Sequence, residues 1–177
     1  MTTKKLISLI SFTVLALSTI HGQNDDNTVL KIRKVYQKIN SYKNYKIVTI
    51  DNSEDFLGEA TDNGGTLKGY YKDDTLQKIV EWIGLSNRVI ENEYYFDNNK
   101  LVFVYATESN YHVNDSTQSL DYTKLDKSFE GRYYFDNEKL IDAVLSDKGR
   151  NKTKQSDADR FLASTRDYKK ILKAKKT

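Results

Sequence analysis

The stretch EYYFDNNKLVFV, Glu93–Val104, decides how this chain is read, because it returns as RYYFDNEKLIDA, Arg132–Ala143, and in shorter form as GYYKDDTLQKIV, Gly69–Val80. Each copy sets aromatic and β-branched residues on either side of a short Asp/Asn-rich break, which is the composition of a β-hairpin. With Asp97–Lys100 as the connection, Phe96 is expected opposite Leu101, Tyr94 opposite Phe103, and Tyr95 beside Val102. The later copy pairs Phe135 with Leu140, Tyr133 with Asp142 and Tyr134 with Ile141 in the same way. Asn99 suits a left-handed turn residue, whereas Glu138 in the equivalent place does not.

Working outward, the runs TLKGYYK, LQKIVEWI, RVIENEYYF, LVFVYATE, FEGRYYF and LIDAVLS follow one another between Thr66 and Ser146, and YKIVTID precedes them. Sequence-adjacent strands joined by short polar turns predict an antiparallel meander of six to seven strands. Only Ser109–Asp126 interrupts the rhythm, and it is expected to be a long polar loop of the kind that carries function. Ahead of the strands, Val29, Ile32, Val35, Tyr36, Ile39 and Tyr42 recur at helical spacing, with Asn27 or Thr28 as the cap. Behind them, Ala158, Phe161, Leu162, Thr165, Tyr168 and Leu172 form the apolar stripe of a second helix capped by Ser156. The predicted fold is therefore α+β, a meander sheet flanked by two amphipathic helices.

The first 22 residues have the layout of a secretory signal peptide: Lys4 and Lys5, an apolar run from Leu6 to Leu17, then small residues at Ser18 and Gly22. Cleavage is expected after Ser18 or Gly22, leaving residues 23–177 as one domain in the periplasm or outside the cell. Losing Lys4 and Lys5 takes the formal charge from +3 to +1, so most of the apparent basicity belongs to the leader. The chain has no cysteine, so disulfides and thiolate chemistry are excluded and stability must come from core burial. From Asp147 to Thr177, 11 Lys or Arg face 4 Asp, and this basic end suits a solvated helix face or an anionic surface. It lacks the interleaved aromatics of a nucleic-acid platform.

The segments IRKVYQKINSY, GEATDNGGTLKGYYKDDTLQKI, EYYFDNNKLVFV and GRYYFDNEKLI together resemble a group of small exported proteins of Bacteroidetes-type bacteria. In that group a signal peptide and short helix precede hairpins of the form YYFDNGKL. The resemblance implies an envelope or secreted protein and carries no activity or site with it. Asn99 and Glu138 stand where the pattern places glycine.

No catalytic, metal or cofactor motif stands out. After leader removal His112 is the only histidine, in the polar segment, without a second histidine or any cysteine for zinc. DNSED, Asp51–Asp55, lacks the spacing of a calcium loop. What the sequence has in surplus is aromatic side chains, 13 of them tyrosine. If both helices cover one face of the sheet, aromatics remain on the other. The expected function is then a non-enzymatic binding domain that recognises a protein or envelope component through Trp82, Tyr94, Tyr95, Tyr105, Tyr111, Tyr133 and Tyr134. A second expectation is glycan binding, or hydrolysis by a carboxylate pair such as Glu91 with Glu93 or Asp142.

Overall fold

The structure is a computed structural model and describes residues 18–176. The leader's charged and apolar regions thus lie outside the described residues. The elements are α1 (Ser18–Ser41), β1 (Lys46–Ile50), the short α2 (Glu54–Leu57), β2 (Gly65–Lys72), β3 (Thr75–Gly84), β4 (Arg88–Asp97), β5 (Lys100–Val113), β6 (Leu120–Asp136), β7 (Lys139–Leu145) and α3 (Lys154–Lys176). The strands form one antiparallel sheet in the order β1-β2-β3-β4-β5-β6-β7, the meander that the sequence predicts.

The three related phrases build three hairpins of one design. Each turns through two residues of positive φ: Asp73 and Asp74, Asn98 and Asn99, Asn137 and Glu138. Positive φ at both central positions is the type I′ signature, whose twist matches that of the flanking strands. Glu138 thus takes the left-handed conformation although its side chain disfavours it. Each hairpin also carries a β-bulge at the same place on its second strand, with Gln77, Val102 and Ile141 as the extra residues.

The bulge corrects the simple register. Phe96 does face Leu101, but Tyr95 faces Phe103 and Tyr94 faces Val104. Likewise Phe135 faces Leu140, Tyr134 faces Asp142 and Tyr133 faces Ala143. Alternation along the strand then sends the two rings of each Tyr-Tyr pair to opposite sides of the sheet.

The two helices cover opposite faces, which corrects the expectation that they share one. Phe161, Tyr168 and Leu172 of α3 pack with Tyr94, Phe96, Val104, Tyr133 and Phe135 in the larger core. Val29, Ile32 and Ile39 of α1 pack with Tyr95, Phe103 and Tyr134 in the smaller one. The doubled aromatics are therefore explained by two cores, one on each side of the sheet. Tyr94, Tyr95, Tyr133 and Tyr134 are all at most 3% exposed, and their expected place on an open recognition face is corrected.

Other boundaries also move. α1 runs upstream through the polar QNDDN segment to Ser18 instead of starting at a cap at Asn27 or Thr28. α3 begins at Lys154 after a 3-10 turn, Lys148–Thr153, so Ser156 lies inside the helix and donates to the Thr153 carbonyl at 2.9 Å. The Ser109–Asp126 segment is mostly strand: β5 and β6 extend through it as a long hairpin, turning between Asn114 and Ser119. Bulges beside Ser109 and His112 carry the ladder across its irregular polar sequence.

Candidate functional site

Ladder registry places residues of neighbouring strands side by side on one face, so the sheet can be read as rows running across it. On the α3 side two adjacent rows are Ile50–Leu67–Glu81–Asn92–Ala106–Gly131 and Val48–Gly69–Ile79–Tyr94–Val104–Tyr133–Ala143. Every one of these residues is buried. At Gly69 a Cβ would lie 2.9 Å from Leu172, so glycine is what lets α3 settle there. The polar members are satisfied: Glu81 accepts from Asn92 Nδ2 and from the Tyr94 hydroxyl, each at 2.8 Å, and from the hydroxyl of Tyr168 on α3. Burial first, then the Glu81 charge, raises both tyrosine pKa values, so the phenols stay neutral donors.

On the α1 side the helix buries only the middle of one row, Tyr95, Phe103 and Tyr134. Tyr36 stacks edge-on against Tyr95 and Phe103, with centroids at 4.9 and 5.3 Å, and Arg33 lies over the Tyr134 ring. Asn40 bonds the Tyr95 hydroxyl at 3.2 Å. The helix leaves the next two rows unburied: Thr49–Lys68–Val80–Glu93–Tyr105–Arg132–Val144 and Thr66–Trp82–Glu91–Thr107–Glu130. None of these residues is buried.

This open strip deepens at both ends. Beside α1 a cavity of about 530 Å³ is lined by Arg33, Tyr36, Phe103, Tyr105, Arg132 and Tyr134, with Gln37 and Val144 at its edge. A charged cluster adjoins its Tyr105 and Arg132. The Glu130 carboxylate accepts from the Tyr105 hydroxyl at 2.7 Å, pairs with Lys127 at 3.0 Å and meets Arg132 at 2.5 Å. The Tyr105 hydrogen bond, then Lys127, lowers the Glu130 pKa and keeps it anionic beside the Arg132 guanidinium. At the other end, over β2–β4, a trough of about 440 Å³ is lined by Thr66, Lys68, Tyr70, Lys78, Val80, Trp82, Glu91 and Glu93.

Of the seven aromatics expected to bind, only Trp82 and Tyr105 therefore reach the open strip, one at each end. Tyr111 is buried in the extended hairpin, where it packs on Tyr122 with centroids 4.7 Å apart. His112 also lies there, its Nδ1 at 2.8 Å from Asp126 Oδ2. Of the expected carboxylate pairs, Glu91 with Glu93 stays close, about 7 Å apart along one face of a strand, and Glu91 with Asp142 does not. Glu91 and Glu93 sit two residues apart on β4, but Asp142 lies on β7, three strand spacings or about 14 Å away. That exceeds the roughly 5–10 Å at which a glycosidase pair works. Sequence reasoning did not single out Arg33 and Arg132, since neither shows until α1 is docked on the sheet.

Among the described residues no helix is long and apolar enough to cross a membrane, and no group of acidic and histidine side chains is arranged to hold a metal ion. Comparison with protein-family models, with curated proteins and with solved structures returns no match to the chain.

Proposed function

We propose that this chain is an exported, non-enzymatic binding domain that recognises a protein or envelope component through the open strip on the α1 side. The cavity beside α1 is the seat of an anionic group of that partner. Export rests on the leader, with its two lysines ahead of the Leu6–Leu17 apolar run. Binding rests on one observation above all: two guanidinium groups, Arg33 from the helix and Arg132 from the sheet, converge on a cavity floored by Tyr105, Phe103 and Tyr134. Arginine forks bind carboxylates and phosphates bidentately, and the rings supply area at low entropy cost. A partner that brings its own anion competes with Glu130 for Arg132 and meets Arg33 directly.

Affinity capture from the native envelope tests this reading, with the mature chain compared with Arg33→Ala and Arg132→Ala. The expected result is a defined partner held by the parent and retained about tenfold less by either variant, at unchanged thermal stability. Equal retention by both well-folded variants would overturn it.

A further inference from the structure

The trough at the far end of the strip has a different chemistry from the arginine cavity. Its floor is Trp82, the only tryptophan in the chain, with Val80 and Tyr70 beside it. Lys78 sits 5.0 Å from the centroid of the Tyr70 ring, so that ring already has a cation against it. The Trp82 indole is half-buried, lies with the far edge of its ring beside Gly84 and lines the trough.

The walls carry two ammonium groups, Lys68 and Lys78, and two carboxylates, Glu91 and Glu93. An ion of either sign meets two like charges there. A hydroxyl group, which donates and accepts, is served by every wall. Glu93 is already engaged, accepting from the Tyr95 hydroxyl and pairing with Lys78 at 3.6 Å. That leaves Glu91, Lys68 and the Thr66 hydroxyl as the groups able to turn to a ligand. β2, β3 and β4 are interior strands with neighbours on both sides, so a peptide finds no free strand edge here. Recognition must run through side chains. The volume lies within the range of small-molecule sites.

We propose that the Trp82 trough is a subsite for an uncharged saccharide unit, stacked on the indole and hydrogen-bonded by Glu91, Lys68 and Thr66. The inference rests on the binding reading above and gives it a second ligand contact at the opposite end of the same strip. No bond is made or broken. Sugar rings offer an apolar face of C–H groups edged by hydroxyls, the complement of an indole ringed by mixed donors and acceptors. Burial, and then the Glu93 charge, raises the Glu91 pKa. Hydroxyl donors from a ligand would replace the water this carboxylate has lost.

Because Trp82 is the only tryptophan, its fluorescence reports on this site alone. The test titrates the mature chain with tetra-N-acetylchitotetraose, maltotetraose and mannotetraose up to roughly 10 mM, enough to fill a site with Kd near 1 mM. A saturable emission change is expected with at least one of them. Glu91→Gln and Lys68→Ala, with unchanged far-ultraviolet circular dichroism, are each expected to weaken it about tenfold. Lys170→Ala, on the exposed side of α3, should leave it as it is. No saturable response to any of the three sugars overturns the proposal, and so does a response that Glu91→Gln leaves unaltered. A response only to an acidic sugar or to a peptide also overturns it. The two readings fail separately. If capture depends on Arg33 and Arg132 but no neutral sugar binds, only the saccharide subsite falls. If a sugar binds through Glu91 while capture ignores both arginines, the anionic seat falls.

Discussion

The two faces of this sheet are made by the same strands, and they differ in how completely a helix closes them. On the α3 side, adjacent rows from β1 to β6 are buried, and the one carboxylate among them, Glu81, is surrounded by donors. On the α1 side, only Tyr95, Phe103 and Tyr134 of one row are buried under the helix and the next two rows stay open, with lysine, glutamate, arginine, tryptophan and tyrosine alternating across the strands. A β-strand puts consecutive residues on opposite faces, so each strand encodes a closed interior and an open surface at once. Tyr94 and Tyr95 show the division within one dipeptide. The first serves α3 and the second serves α1.

If the α3 side is the principal source of stability, truncation there should cost more than on the α1 side. Phe161 is 1% exposed and meets the Tyr133 and Tyr94 rings at 5.0 and 5.9 Å. Phe161→Ala is expected to cost about 3–5 kcal/mol in urea unfolding. Tyr36→Ala removes a half-buried ring over Tyr95 and Phe103 and should cost less than half as much. Equal losses would erase the asymmetry and make α1 as much a part of the core as α3.

A smaller effect probes how tightly α3 sits. A Cβ at Gly69 would lie 2.9 Å from one Leu172 methyl and 3.2 Å from the other. Gly69→Ala is expected to cost about 1–3 kcal/mol through overpacking. If it proves neutral or stabilising, α3 can shift outward, and the closed face is looser than its burial implies. Gly69 holds the place that Tyr94 and Tyr133 hold in the other two hairpins, counting from the turn. The third copy of the phrase is therefore shifted by one residue: Tyr70 and Tyr71 correspond to Tyr95 and Phe96.

That shift marks what the residues disclose and what they withhold. The hairpins, their order and both helices were legible, because period-2 and period-3.6 patterns are local and each turn is written in Asp and Asn. The bulges were not, since Gln77, Val102 and Ile141 are ordinary strand residues whose extra place shows only against a partner strand. Nor was the side on which each helix docks, because an apolar stripe says that a helix is covered without saying by which face. That one uncertainty displaced the candidate site. Tyr94, Tyr95, Tyr133 and Tyr134, expected on a surface, belong to two cores. Trp82 and Tyr105 alone reach the open rows, and the arginines beside Tyr105 emerge only with the helix in place.

The smallest expected effect separates the faces by the sign of their response to pH. Glu108 lies on the α3 side and takes a two-pronged contact from Arg150, Nη1 at 2.6 Å and Nη2 at 3.1 Å. That hydrogen bonding holds its pKa below the usual 4.5. Its contribution is therefore present above pH 4.5 and lost as pH falls through the lower folded value. Glu91, in the open trough, is shifted the other way, by burial first and then by Glu93. Its favourable contribution is full below pH 4.5 and is lost as pH rises through the higher folded value, so at neutral pH its charge weighs against folding. Both groups keep contact with solvent, and each effect should stay under about 1 kcal/mol. Glu108→Gln is expected to lower the thermal midpoint at pH 7, and Glu91→Gln to raise it. At about pH 3, below the usual glutamate range, both differences should shrink towards zero. A fall at pH 7 in Glu91→Gln would mean that its carboxylate is structurally engaged, and the trough would then hold no carboxylate free to meet a ligand.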